Sequence, residues 1–319
     1  MIFKFLSHLI LSTVLLQIFP VDAADVQRLA LLPSQNQSVS SYTAFNLPTA
    51  HLPVSPDASP VKINTSSLGV VTSASSAIVV DRKTKHVLFE KNIDAPRSIG
   101  SITKLMTALV FLSTNPDLNA AASLTQEDYR AGGVQHLPMS APVTAKDLLY
   151  ASLISSDNSA TAAVARLSGM SSDAFVTKMN EKAQSLGMTH STFVDPTGLS
   201  PKNESVVTDL VKLFDAAAQN DIIRDATEHD AYTVTDTAGK AYSFKSTDQL
   251  LSSFINQSPY GIVAGKTGYL PEAGYCLGSV LHHDGSGDII IVVLGSETDA
   301  DRFQDLKSLV VWTYNTFKW

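Results

Sequence analysis

Thiol chemistry is nearly absent from this chain: Cys276 is the one cysteine in 319 residues. Without a second thiol no internal disulfide can form, so the fold must hold by its core alone. Cys276 lies in the apolar run Tyr275-Cys276-Leu277, a setting for a buried small hydrophobe and not for a nucleophile. Basic runs are missing as well. There are 23 lysines and arginines against 30 acidic residues, a net charge of −7, which argues against nucleic acid as the main partner. No uninterrupted apolar stretch reaches the roughly 20 residues that a membrane-spanning helix needs. The longest candidate, residues 5–19, is interrupted by Ser7, His8, Ser12, Thr13 and Gln17. With Lys4 before it and Val21-Asp22-Ala23 after it, this stretch has the form of a secretory signal peptide, residues 1–23, cut after Ala23. No cysteine lies near that cut, so lipid attachment is not indicated. An exported, soluble protein is the expectation.

Hydrophobic residues make up 44% of the chain, enough for a large core in one or two domains. Residues 24–76 are rich in Ser, Thr, Asn and Gln and are punctuated by Pro33, Pro48, Pro53, Pro56 and Pro60. That composition predicts a flexible leader, with the folded domain spanning 77–319. Two β-rich runs, 77–81 and 86–90, flank a polar turn and predict a hairpin. Helical patterns follow at 101–113, 145–154, 159–167, 173–186 and 208–219. Three strand-like runs come next, at 261–267, 275–281 and 288–294, and a final helix at 299–317. Strands at both ends of the chain and helices between them predict an α/β (α+β) three-layer sandwich. Its centre is a five-stranded antiparallel sheet with helices on both faces, most of them in a central insertion.

The chemistry concentrates in Arg97–Leu109, which reads as a turn running into an apolar helix. Ser101 and Lys104 are three residues apart and share a helical face. A lysine in the first turn sits at the positive end of the helix dipole, where its proton is disfavoured, as suits a base. The bland alternative is a serine N-cap beside a solvated lysine. The same S-x-x-K spacing recurs at Ser59–Lys62, so the motif needs partners. Ser156-Asp157-Asn158 breaks two helical patterns and could be a simple capped turn. This S-x-N spacing also occurs at Ser34–Asn36 and Ser113–Asn115. Lys266-Thr267-Gly268 occurs once, on a strand pattern, where a lysine could merely blunt a sheet edge. Its other reading is a cation and a hydroxyl aimed at a substrate carboxylate, with Gly268 admitting the substrate backbone.

S-x-x-K, S-x-N and K-T-G in this order resemble the penicillin-recognising serine enzymes. The wider resemblance covers about 77–317 and is to the low-molecular-mass penicillin-binding proteins, the D-alanyl-D-alanine peptidases. Residues 97–107, 179–199 and 261–277 carry it. The resemblance implies Ser101 as nucleophile and Lys104 as its base, kept neutral by the helix terminus and Lys266. It implies that Ser156 relays a proton to the leaving amine and that Asn158 holds the substrate amide. Lys266 and Thr267, beside Gly268, would bind the carboxylate end, and the backbone N–H groups of Ser101 and Tyr269 would form the oxyanion hole. The implied partners are peptidoglycan stem peptides in the periplasm, with β-lactams as covalent inhibitors and no cofactor or metal.

Two features depart from the family pattern. Gly100 stands where alanine is common and is expected to loosen the helix entrance. The chain also stops at Trp319, without the further β-rich domain and C-terminal anchor of many relatives, as in the short endopeptidase branch. Val310, Val311, Trp312, Phe317 and Trp319 could face a membrane, but core packing is the stronger expectation. A class A-like β-lactamase would need a glutamate in an E-x-x-L-N loop; His190–Asp195 occupies that region instead. A catalytically silent wall-binding homologue would tolerate loss of Ser101 or Lys104, yet both are present. His282-His283-Asp284 and Glu228-His229-Asp230 cluster ligand types but read as solvated turns.

Overall fold

The computed structural model describes residues 59–319. The signal-peptide stretch 1–23, the leader up to 58 and the Ser34–Asn36 triplet lie outside the described residues. Five strands form the central sheet: β1 (Ser76–Asp81), β2 (Val87–Lys91), β3 (Tyr260–Leu270), β4 (Gly274–His283) and β5 (Ile289–Ser296). Their spatial order is β3-β4-β5-β1-β2 and every pairing is antiparallel. Two strands thus precede the helical insertion and three follow it, as the strand-helix-strand pattern predicts, and the chain re-enters the sheet at the edge opposite β2. Period-two alternation assigns the faces. Ile78, Val80, Ile290, Val292 and Leu294 join the core beneath the insertion. Ala77, Val79, Ile289, Ile291 and Val293 join a second core under the C-terminal helix. Because both faces are covered, β5 reads as a nearly unbroken apolar run.

The insertion contains α1 (Thr103–Ser113), α2 (Ala145–Ile154), α3 (Asn158–Leu167), α4 (Ser172–Ser185), α5 (Val207–Ala218) and α6 (Asp221–Glu228). Thr144 and Asp147 close a reciprocal capping box at the start of α2, and Asp157 caps α3 through a 2.9 Å bond from the Ala160 N–H. The C-terminal α7 (Asp299–Thr316) covers the other sheet face. Phe303, Leu306, Leu309 and Val310 are buried there, Trp312 lies edge-on to Phe89 and Phe317, and the Trp319 indole donates to Asp81 at 2.7 Å. These aromatic residues pack on the sheet, as the core reading expects. Among the described residues no helix is long and apolar enough to cross a membrane.

Two elements were not expected. The hairpin Ala231–Thr235/Ala241–Lys245 and helix α6 flank Glu228-His229-Asp230, whose sequence reads only as a solvated turn. The larger correction concerns the end of the leader, since order begins before Ala77. Val61–Lys62 pairs with Phe317–Lys318. The buried Asp305 of α7 accepts from the Ser73 N–H, the Ser73 hydroxyl and the Ala74 N–H at 2.8–2.9 Å. A segment held by backbone pairing and one remote carboxylate needs no apolar periodicity, so its composition resembled a tether.

Candidate active site

Ile99 leads into a 3-10 turn (Gly100–Ile102) that runs directly into α1. Ser101 is therefore on the turn and not in the α-helix itself. Neither Ile99 nor Ile102, the cap positions of these two segments, makes a side-chain cap. The Ser101 hydroxyl instead accepts from Lys104 Nζ at 2.8 Å. Lys104 is fully buried, and its amine also donates to Asn158 Oδ1 at 2.7 Å and to the Thr197 carbonyl at 2.6 Å. Neither the capping serine nor the solvated lysine survives this geometry. Burial is the leading cause that brings the Lys104 pKa down to about 7, against opposing fields from Asp195 and Asp157. The helix terminus and Lys266, expected to keep it neutral, yield here to desolvation as the main cause.

The second motif comes from the α2–α3 connection. Ser156 adopts a left-handed conformation, φ 59°, that turns the chain between the two helices. Its hydroxyl accepts from Lys266 Nζ at 3.0 Å. The middle residue, Asp157, is the cap and also takes the His136 N–H at 2.8 Å. Asn158 opens α3 and bridges the site, accepting from Lys104 while its Nδ2 donates to the Gly132 carbonyl at 2.9 Å.

The third motif lies on β3, an edge strand, yet Lys266 is 1% exposed and cannot blunt that edge from solvent. Burial, then the neighbouring charges of Lys104 and Arg302, holds its pKa well below the usual lysine range. Thr267 and Thr247 share a 2.6 Å hydroxyl contact. Gly268 packs on the Ile99 carbonyl so closely that a Cβ would lie 2.5 Å from it. The Tyr269 ring is 49% exposed and stacks on Tyr275 at 4.4 Å, outside the polar centre.

All eight residues singled out in the sequence meet around one cleft of about 600 Å³, with Lys104 and Lys266 buried beneath its floor. The sequence reading missed several others. Thr247 and Lys245 reach the cleft from the unexpected hairpin and its exit. Arg302 arrives from α7, pairs with Asp299 and donates to the Gly268 carbonyl at 3.0 Å. Its place follows from helix packing, which no local pattern announces. The Asp195–Leu199 loop is more legible, because D-P-T-G is strong turn chemistry. Asp195 accepts from the N–H groups of Thr197, Gly198 and Ser200 at 2.7–2.9 Å, which aims the Thr197 carbonyl at Lys104.

Glycine is required twice where this loop meets the nucleophile. Gly198 has φ +83°, and a Cβ there would lie 2.1 Å from the Gly100 carbonyl oxygen. Gly100 has φ +52°, and its Cβ would lie 2.9 Å from the Tyr269 nitrogen. Gly100 thus lets the serine turn and the K-T-G strand close on each other, where a loosened entrance was expected. Gly198→Ala should lower stability by about 2–3 kcal/mol through this clash and its backbone strain. The check is a lower urea midpoint at unchanged slope; an unaltered midpoint would refute the close approach.

The two histidine clusters play no part in the cleft. His282 bonds Asp288 at 2.8 Å and His283 stacks on Tyr314. Among the described residues no three His, Cys, Asp or Glu side chains converge as a metal site would require.

The sequence profile of the D-alanyl-D-alanine carboxypeptidase family matches residues 63–298. A D-alanyl-D-alanine endopeptidase of Haemophilus influenzae is 35% identical over 238 residues, covering 74% of this chain and 80% of that protein. A D-alanyl-D-alanine endopeptidase of Escherichia coli is 32% identical over 246 residues, covering 75% and 77%. Among solved structures, the Streptomyces K15 DD-transpeptidase aligns with a TM-score of 0.71 at 28% identity, over 78% of this chain and all of that one. With a profile match across most of its length and a serine–lysine pair at the centre of the matched region, the chain belongs to the D-alanyl-D-alanine carboxypeptidase family of serine hydrolases.

Proposed function

We propose that the protein is an exported serine D,D-peptidase of peptidoglycan stem peptides that works through a Ser101 acyl-enzyme. The single observation that carries this reading is the buried Lys104 amine, 2.8 Å from the Ser101 hydroxyl and depressed to a pKa of about 7. At neutral pH a large fraction of that amine is unprotonated and able to take the serine proton. Ser101 Oγ then attacks the carbonyl of the penultimate D-Ala, while the N–H groups of Ser101 and Tyr269 receive the oxyanion. Ser156, held by Lys266, gives its proton to the leaving amine as the scissile C–N bond breaks and takes in exchange the proton that Lys104 removed from Ser101. Lys266, Thr267 and Arg302 give the leaving residue's carboxylate a cationic, hydroxyl-bearing seat, and Asn158 holds the substrate amide. Water releases the acyl group in the second half-reaction.

Among the described residues neither aspartate nor glutamate lines the cleft, and the carboxylate of the Asp195 loop is engaged by backbone donors. A class A-like deacylating glutamate therefore has no counterpart here. This supports slow release of a penicilloyl group, which makes β-lactams covalent inhibitors and not substrates. The endopeptidase relatives at 32–35% identity favour opening of D-Ala–diaminopimelate cross-links over removal of terminal D-Ala. Mature protein incubated with pentapeptide monomers and D,D-cross-linked dimers, with products read by mass, tests this. Dimers falling to monomers is the expected result. Loss of one alanine from monomers with dimers untouched would make the enzyme a carboxypeptidase.

A further inference from the structure

The cleft holds a cation that the acyl-transfer scheme does not use. Among the described residues Lys245 and Arg302 line it and no acid does, although the chain carries a net charge of −7. Arg302 is already committed, since it pairs with Asp299, donates to the Gly268 carbonyl and joins the seat for the first substrate carboxylate. Lys245 is exposed, and among the described residues its amine has no hydrogen bond, ion pair or ring contact. An unpaired surface lysine is ordinary; one at the mouth of an acid-free substrate cleft is a free binding group.

Its backbone is fixed while its side chain is free. Lys245 closes the second strand of the hairpin, Ala241–Lys245, opposite Ala231. Phe244 turns into the core at 4% exposed, so period-two alternation points Lys245 away from that core. The next two N–H groups are anchored, Ser246 to the Asp230 carbonyl at 2.8 Å and Thr247 to the Ile154 carbonyl at 3.0 Å. The Thr247 hydroxyl then meets that of Thr267 at 2.6 Å. Thr247 thus marks the carboxylate end of the K-T-G segment, and Lys245 lies two residues beyond it, at most about 7 Å along the chain. The Tyr269 N–H, which receives the oxyanion, is on the other side of Gly268. Running from Tyr269 through Thr267 and Thr247, Lys245 comes last, on the leaving-group side of the scissile bond.

We propose that Lys245 is a specificity-determining residue that pairs with a second carboxylate on the leaving residue, and so selects a leaving diaminopimelate whose distal carboxylate is free. The proposal rests on the D,D-peptidase reading, in which Lys266, Thr267 and Arg302 take the first carboxylate. A leaving D-alanine has only that one carboxylate and offers Lys245 nothing to bind. Diaminopimelate carries the same carboxylate on its D-centre and, three methylenes further on, another on its L-centre. Its two α-carbons are roughly 5 Å apart when extended, and the flexible four-carbon stem of Lys245 spans the remainder. The second carboxylate is free where the leaving stem ends at this residue, so stems of that length are the favoured leaving strands. A preference for cross-links over terminal D-alanine then has a charge behind it, and not the width of the cleft alone.

Two synthetic substrates isolate that charge. In one, the D-Ala of an N-acetylated stem tetrapeptide is joined to the D-centre amine of diaminopimelate. In the other it is joined to the α-amine of D-lysine, which is the same residue without the second carboxylate; the distal amine is acetylated in both. The readout is the ratio of kcat/KM for the two in wild type, Lys245→Met, Lys245→Arg and Lys245→Glu, with Ser101→Ala as the blank. An exposed ion pair is a modest interaction, so wild type should favour diaminopimelate by about threefold to fivefold. Lys245→Met should bring the ratio to about 1, Lys245→Arg should restore it and Lys245→Glu should invert it. The wild-type ratio should also shrink in about 1 M salt, where exposed charges are screened. A wild-type ratio near 1, or the wild-type ratio kept in Lys245→Met, would overturn the proposal while leaving the D,D-peptidase reading intact. If wild type cleaved neither substrate and formed no penicilloyl adduct that Ser101→Ala lacks, that reading would fall and the proposal with it, so the two failures are distinguishable.

Discussion

Replacing Lys104 with alanine is expected to slow acylation of Ser101 by roughly 10²–10⁴-fold, the range for loss of a positioned general base, while the chain stays folded. Among the described residues the amine is the one basic nitrogen in hydrogen-bond contact with the serine hydroxyl, at 2.8 Å, so no described neighbour is placed to take over. Retention of the fold follows from what burial does to the residue. A lysine with no solvent exposure is already penalised by desolvation. Its removal relieves that penalty while stranding the Asn158 and Thr197 oxygens, and these effects oppose one another. Lys104→Met preserves the volume and should give the same kinetic loss with a thermal midpoint nearer wild type. In the unaltered protein the acylation rate should rise with pH through about 7, as the Lys104 amine loses its proton. A rate that was flat across this range, or a Lys104→Met variant within about tenfold of wild type, would assign the base elsewhere.

How much of this was legible in the sequence depended on whether a feature was local. Ser101 and Lys104 lie within one turn, so spacing alone brought them together. The alternating faces of β1 and β5 likewise follow from period two. The environment that gives Lys104 its chemistry is remote. It needs Asn158 from α3 and the Thr197 carbonyl, set by the Asp195 turn some 90 residues further on. From the sequence, the helix dipole was the available explanation for a neutral lysine; the structure makes burial the larger cause. The hairpin at 231–245 carried a readable signal, with Tyr232 and Val234 alternating against Tyr242 and Phe244 around Gly239, yet it lay in a polar stretch that resembled a loop. Arg302 had no such signal. Its place at the cleft arises where α7 packs against β3, a contact that leaves no mark on the neighbouring residues.

The Ser101→Ala variant carries the other large expectation, complete loss of turnover and of covalent penicillin labelling. Its hydroxyl is the one that accepts from Lys104 among the described residues, at the cleft wall. The nearby Ser156 hydroxyl accepts from Lys266 and is not in contact with the Lys104 amine. Alanine at 101 removes one half-buried oxygen from a turn whose backbone is fixed by Gly100, Gly198 and Gly268, so the fold should be unaffected. Mass spectrometry of the protein after exposure to excess benzylpenicillin tests the central claim most directly. The expected result is one penicilloyl group per chain, located by digestion to Ser101 and missing from Ser101→Ala. An adduct on Ser156 or any other residue, or one that persists in Ser101→Ala, would contradict it.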